Sequence, residues 1–215
     1  MTPAALWTLV TTVCVAGLLL AEQAGSRLGR VLFKLAASSG FVAVGLVLGA
    51  TGSRYGQWLL AALLLGWLGD ALLLSRRPRA FLGGLGAFLL SHLCFALAFL
   101  SGAASGGAMA LAALVAGVFG AGVLRWLGPH LTPAFRWPVW AYIAVILVMV
   151  VTAAGHANAT GRWAVLAGAL LFAASDLAVA RDRFVHPGFV NKLWGWPTYF
   201  GAQLLLAGSV AGMVS

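Results

Sequence analysis

Residues 58–76 read WLLAALLLGWLGDALLLSR, from Trp58 to Arg76, and this stretch decides what kind of fold the chain can adopt. Leu and Ala dominate it up to Asp70, so a helix built from it has no face that prefers water. About 20 consecutive apolar residues cross the hydrocarbon of a bilayer, which makes the stretch a membrane-spanning helix. Its one anomaly is Asp70, a carboxylate where such a helix should carry none.

The same pattern recurs on both sides. Apolar runs fall at Ala4–Ala21, Val31–Ala50, Trp58–Leu74, Phe81–Leu100, Ala108–Leu124, Pro138–Ala153, Trp163–Ala180 and Pro197–Val214, and short polar breaks separate them. The expected fold is all-α: one integral membrane domain over residues 1–215, a polytopic bundle of about eight transmembrane helices with neighbours antiparallel. Composition agrees. The 215 residues are 62% hydrophobic and 8% charged, with mean hydropathy +1.01, whereas a soluble domain carries about 25% charged residues. A water-soluble fold is excluded, and the 28 glycines fit helices packed closely through small residues. The alternating pattern of a β-barrel is missing. No basic segment precedes the first run, so it reads as a retained helix and not as a cleaved signal peptide.

The net charge of +9 has a topological explanation. Arg27, Arg30, Arg76, Arg77, Arg79, Arg125, Arg136, Arg181, Arg183 and Lys192 follow helices one, three, five and seven, and only Arg54 and Arg162 lie on the other side. By the positive-inside rule the odd-numbered loops are cytoplasmic and both termini face away from the cytoplasm, in the cell (inner) membrane. No nucleic-acid module accompanies the basic residues, so the expected partners are the bilayer and a lipid. Cys14 and Cys94 sit in apolar runs without metal or disulfide spacing and read as packing residues.

Three ionisable groups remain inside the spans. Asp70 and Asp176 lie about 8 Å inside the cytoplasmic boundary and Lys34 about 6 Å, from their separation to flanking arginines at 1.5 Å per residue. An ion in a membrane helix costs about 2.5–3.5 kcal/mol at the centre and less near the interface, so these groups should face the bundle interior. Lys34 can alternatively snorkel to the interface. His92, Tyr142, Tyr199 and Gln203 lie at compatible positions, the last two one turn apart on a single face. The bland readings are a core histidine, interfacial tyrosines following the first-turn prolines Pro138 and Pro197, and an interhelical glutamine. A carboxylate cannot snorkel far, so Asp70 and Asp176 carry the functional expectation. His130, His156 and His186 are placed in loops on different sides, which disfavours a metal centre; no cofactor is expected. Gly69-Asp70 before Arg76 is echoed by Ser175-Asp176 before Arg181, four spans later in the same orientation, which raises a four-plus-four parallel repeat.

An ordered set of motifs covers most of the chain: Lys34; Gly69-Asp70 with Leu74; Phe81-x-x-Gly84-x-x-x-Phe88-x-x-x-His92; Gly168-Ala169-x-x-Phe172-x-x-Ser175-Asp176; and Tyr199-Phe200-x-x-Gln203-Leu-Leu. In this set the sequence resembles the lysoplasmalogenase-like (YhhN-type) membrane proteins. It departs from them at Leu35, where that pattern has proline, and at Phe95 and Phe200, where it has hydroxylated aromatics.

The resemblance implies a hydrolase that cleaves the vinyl ether bond of a single-chain ether phospholipid, a lysoplasmalogen, to a fatty aldehyde and a glycerophospho-base. The residues suit that chemistry. Asp70 and Asp176 are the expected catalytic pair, one protonated and one ionised, with the partner nearer Lys34 ionised. Lys34, His92, Tyr142, Tyr199 and Gln203 are expected to hold substrate. The phosphate is expected at a basic rim of Arg76, Arg77 and Arg181, with Arg79, Arg183 and Lys192 nearby, and the tail among Trp67, Phe88 and Phe172. The competing class is a proton-coupled transporter or lipid flippase in which the same aspartates relay protons. A partner without chemistry is disfavoured by the two intramembrane acids.

Overall fold

The computed structural model describes residues 1–75 and 77–212, so Arg76 of the expected rim lies outside the described residues. Eight helices follow one another: α1 (Pro3–Gln23), α2 (Arg27–Val47), α3 (Arg54–Leu73), α4 (Pro78–Leu100), α5 (Gly106–Leu127), α6 (Pro133–Thr160), α7 (Trp163–Ala180) and α8 (Phe189–Gly208). A short 3-10 turn at Gly128–His130 follows α5, and a π turn at Arg181–Val185 extends α7. Trp58 to Leu73 of the leucine-rich stretch fall in α3. Seven helices, α1 to α7, are long and apolar enough to cross a membrane. The chain is a multi-pass helical membrane protein.

Local chemistry sets most of the helix starts. Thr2, Ser26, Ser53 and Ser105 cap α1, α2, α3 and α5 by accepting a backbone N–H with the side-chain oxygen. Two ends differ from expectation. Pro138 and Pro197 do not start helices: α6 begins at Pro133 and α8 at Phe189, leaving both prolines inside. An interior proline frees one carbonyl, which neighbouring groups in a membrane bundle can satisfy. α6 also runs on to Thr160, ending where Gly161 takes φ +73°, so His156 is a fully buried helical residue and not a loop histidine.

Neighbour relations repeat after four helices. α1 packs on α2, α2 on α3 and α3 on α4; α5 packs on α6, α6 on α7 and α7 on α8. The two halves meet reciprocally, α4 against α6 and α8 against α2. The main core lies where they meet, with Phe41, Phe95, Phe99, Phe172 and Phe200 fully buried. A membrane protein gains little from apolar burial as such, so this close packing is what holds the helices.

At one end, ion pairs fasten the loops. Glu22 pairs with Arg30 at 3.0 Å and with Lys192, which ties α1 and α2 to α8. Asn191 accepts from Arg181 and donates to Asp182 and to the carbonyl of His186, which fixes the connection from α7 to α8.

Candidate active site

α3 delivers Asp70 into the bundle, where the residue is 2% exposed. Its Oδ1 lies 3.1 Å from Lys34 Nζ on α2, and its Oδ2 accepts from Ser38 Oγ at 2.6 Å and Tyr199 Oη at 2.8 Å. Lys34 is itself buried, so it turns inward and does not snorkel. Gln203, one turn beyond Tyr199, donates to the Tyr199 hydroxyl at 3.1 Å. Glycine makes that approach possible. A Cβ on Gly66 would stand 2.6 Å from Gln203 Nε2, so any side chain there would displace the Gln203 amide from its place beside the Tyr199 hydroxyl. An ammonium and two hydroxyl donors thus surround the Asp70 carboxyl group.

α7 delivers Asp176 to a different set of partners. Tyr142 of α6 donates to Oδ1 at 3.1 Å, and His92 Nε2 of α4 lies 3.1 Å from Oδ2. The other ring nitrogen, Nδ1, is bonded to the carbonyl oxygen of Phe88. A carbonyl oxygen only accepts, so Nδ1 carries hydrogen. One proton must then lie between His92 Nε2 and Asp176 Oδ2, because a lone pair and a carboxylate oxygen cannot face each other at that distance without one. Phe172 lies against the His92 ring with centroids 4.5 Å apart and against Tyr199 at 5.3 Å, linking the two aspartates' partners through apolar contact.

The two stations follow the four-helix repeat. Asp70 on α3 is held by α2 and α8, and Asp176 on α7 by α6 and α4. Each acid therefore uses one helix of its own half and one of the other.

Both carboxylates line one cavity of about 1150 Å³, together with Lys34, Tyr142 and Tyr199. His92 and Gln203 do not line it; His92 adjoins the lining residues Asp176, Tyr142 and Phe172, and Gln203 adjoins Tyr199. Phe88 and Phe172 line the cavity; Trp67 does not, and its indole N–H donates to Ser39. Of the basic residues, Arg183 and Lys192 line it, whereas Arg77 and Arg181 do not. Arg183 lies over the Phe81 ring, 4.3 Å from its centroid. Ser38 escaped the sequence reading. Its signal was its position one turn after Lys34, on the same face.

Fold and site together define a polytopic helical membrane protein with two unlike carboxylate stations on one cavity, one buried at Asp70 and one partly exposed at Asp176. The chain belongs to the YhhN family, whose sequence pattern matches residues 29–210. It is 40% identical over 158 residues to a Mycobacterium bovis protein named lysoplasmalogenase, covering 71% of this chain and 60% of that protein. It is 35% identical over 152 residues to the human lysoplasmalogenase TMEM86B, covering 71% and 62%, and 33% identical over 146 residues to the bovine lysoplasmalogenase TMEM86A, covering 65% and 59%. The chain thus spans about 60% of the length of these curated relatives. No solved structure matches it.

Proposed function

We propose that this protein hydrolyses the vinyl ether bond of lysoplasmalogens, with Asp176 and His92 supplying the proton and Asp70 handling the water. The observation that carries this reading is the unlike surroundings of two carboxyl groups on one cavity, in a chain whose relatives are named lysoplasmalogenases. A vinyl ether hydrolyses through protonation of its distal alkene carbon, which needs a positioned acid. It then needs a base for the water that attacks the resulting oxocarbenium ion.

In the proposed sequence the proton held between His92 and Asp176 passes to the alkene carbon. Water adds to the oxocarbenium carbon and gives a proton to Asp70, forming a hemiacetal. The hemiacetal hydroxyl returns its proton to the Asp176–His92 pair as the carbonyl forms and the C–O bond to glycerol breaks. The departing glycerol oxygen takes the proton from Asp70. Both stations end as they began. Lys34 stabilises Asp70 as an anion before the attack, and Tyr142 and Tyr199 orient the two carboxylates. Arg183 and Lys192, at the charged end of the cavity, are the proposed phosphate contacts. We place that end, with both termini opposite, by the positive-inside rule on the cytoplasmic side of the cell membrane.

The test is purified protein in detergent with lysoplasmenyl-ethanolamine, assayed for free aldehyde. Aldehyde release without any membrane gradient is the expected result. Absence of aldehyde from a well-folded preparation would overturn the proposal in favour of a proton-coupled transporter or lipid flippase using the same acids.

A further inference from the structure

The cavity extends far beyond the two carboxylates. α6 forms its floor and α5 and α7 its walls, and on α5 the lining follows one face at helical spacing from Ala108 to Leu127. Gly120 packs under Leu147 and Gly155 under Met109, which sets the levels of the antiparallel α5 and α6. On that scale Ala116 stands nine residues, about 13 Å, above the level of Tyr142, and Asn158 at the far end stands about 24 Å above it. One leaflet of hydrocarbon is about 15 Å, half the usual 30 Å core. The groove is therefore longer than one leaflet. Its charged residues gather at the carboxylate end, and the run from Val123 toward Ala108 is apolar. Leu111, Val115 and Phe119 line it yet remain largely exposed, so it is open sideways to the bilayer.

We infer that the α5–α6–α7 groove is a binding site for one hydrocarbon chain, and that the small side chain of Ala116 sets which chain lengths it admits. The occupant is the tail of a single-chain phospholipid, because the groove is continuous with a mouth carrying Arg183 and Lys192, and it leaves the acids about where the tail joins the polar part. Side access lets such a lipid slide in from the membrane without passing its charged end through the core. This inference rests on the proposed function for the identity of the polar end.

The test compares hydrolysis of lysoplasmenyl-ethanolamines with octenyl and octadecenyl chains by wild type and Ala116→Trp. The long chain fills about one leaflet and passes Ala116, whereas the short one stops below it. The expected result is at least a tenfold fall in kcat/KM for the long chain relative to the short one. An unchanged ratio, whether both rates hold or both fall, would overturn the groove as the tail site. A second measurement separates this from the function itself: lysophosphatidylethanolamine with a diazirine at the tail end is photolysed on wild-type protein and the adducts are mapped. Adducts on the facing sides of α5 and α6 support the groove even if no vinyl ether is cleaved; adducts confined to outward faces refute it.

Discussion

His92 Nε2 lies 3.1 Å from Asp176 Oδ2 while the other nitrogen of the same ring is committed to the Phe88 carbonyl, so the pair holds a proton that neither member owns alone. Asp70, by contrast, is surrounded by Lys34, Ser38 and Tyr199. The two acids differ in their neighbours and in burial, Asp70 being enclosed and Asp176 partly exposed.

Removing either acid should therefore stop the reaction by a different route. Asp176→Asn and Asp70→Asn are each expected to lower aldehyde release by on the order of 10²- to 10⁴-fold, with the protein still inserted. Turnover near wild type in either purified variant would take that aspartate out of the mechanism.

On the proposed mechanism His92 acts through Asp176 and not on the lipid, so its loss should appear in kcat. His92→Gln is expected to lower kcat roughly tenfold or more while KM stays near wild type. A rise in KM at constant kcat would return His92 to the substrate-binding role that its sequence position also allows.

The buried Lys34–Asp70 pair gives a stability experiment independent of activity. Lys34→Met strands a buried carboxylate and is expected to cost about 3–5 kcal/mol, read as a lowered Tm in detergent. The double variant Lys34→Met with Asp70→Leu should recover most of that loss while remaining inactive. If the double melts no higher than the single, the two residues are not coupled as described.

Orientation is testable by cysteine labelling after Cys14 and Cys94 are replaced by alanine. Cysteines introduced at Arg79 and Thr51 flank α4 and α3 at opposite ends of the bundle. They should react with an impermeant reagent from opposite faces, Arg79→Cys only from the cytoplasmic one. Labelling of both from one face would reject the topology.

Much of this was legible from residue type and spacing. The apolar runs correspond to the eight helices of the described residues, and Asp70, Asp176 and Lys34, singled out by their positions inside apolar spans, line one cavity. Tyr199 and Gln203, one turn apart, were correctly paired on a face. What was not legible were the contacts between helices distant in sequence. Which aspartate meets Lys34 depends on how α2 packs on α3, and the meeting of His92 with Asp176 on how α4 and α7 sit around Phe172. The basic rim was over-read for the same reason: a positive charge in a loop fixes membrane side, whereas reaching the cavity depends on where each loop is tied. The Asn191 network uses Arg181 as a strut and leaves Arg183 at the mouth. Pro138 and Pro197 misled because a proline in a bundle does not have to mark a helix start.

The exchange of helices between the two halves has a consequence for how the protein comes into being. Asp70 receives Tyr199 from α8 in the second half, and Asp176 receives His92 from α4 in the first. Neither half of the polypeptide contains a finished reagent. During insertion Asp70 on α3 has an incomplete clamp until α8 docks, so the proposed chemistry requires both helices in place. On the proposed function the site works as a logical AND of the two halves, and a chain in which they fail to meet would be silent.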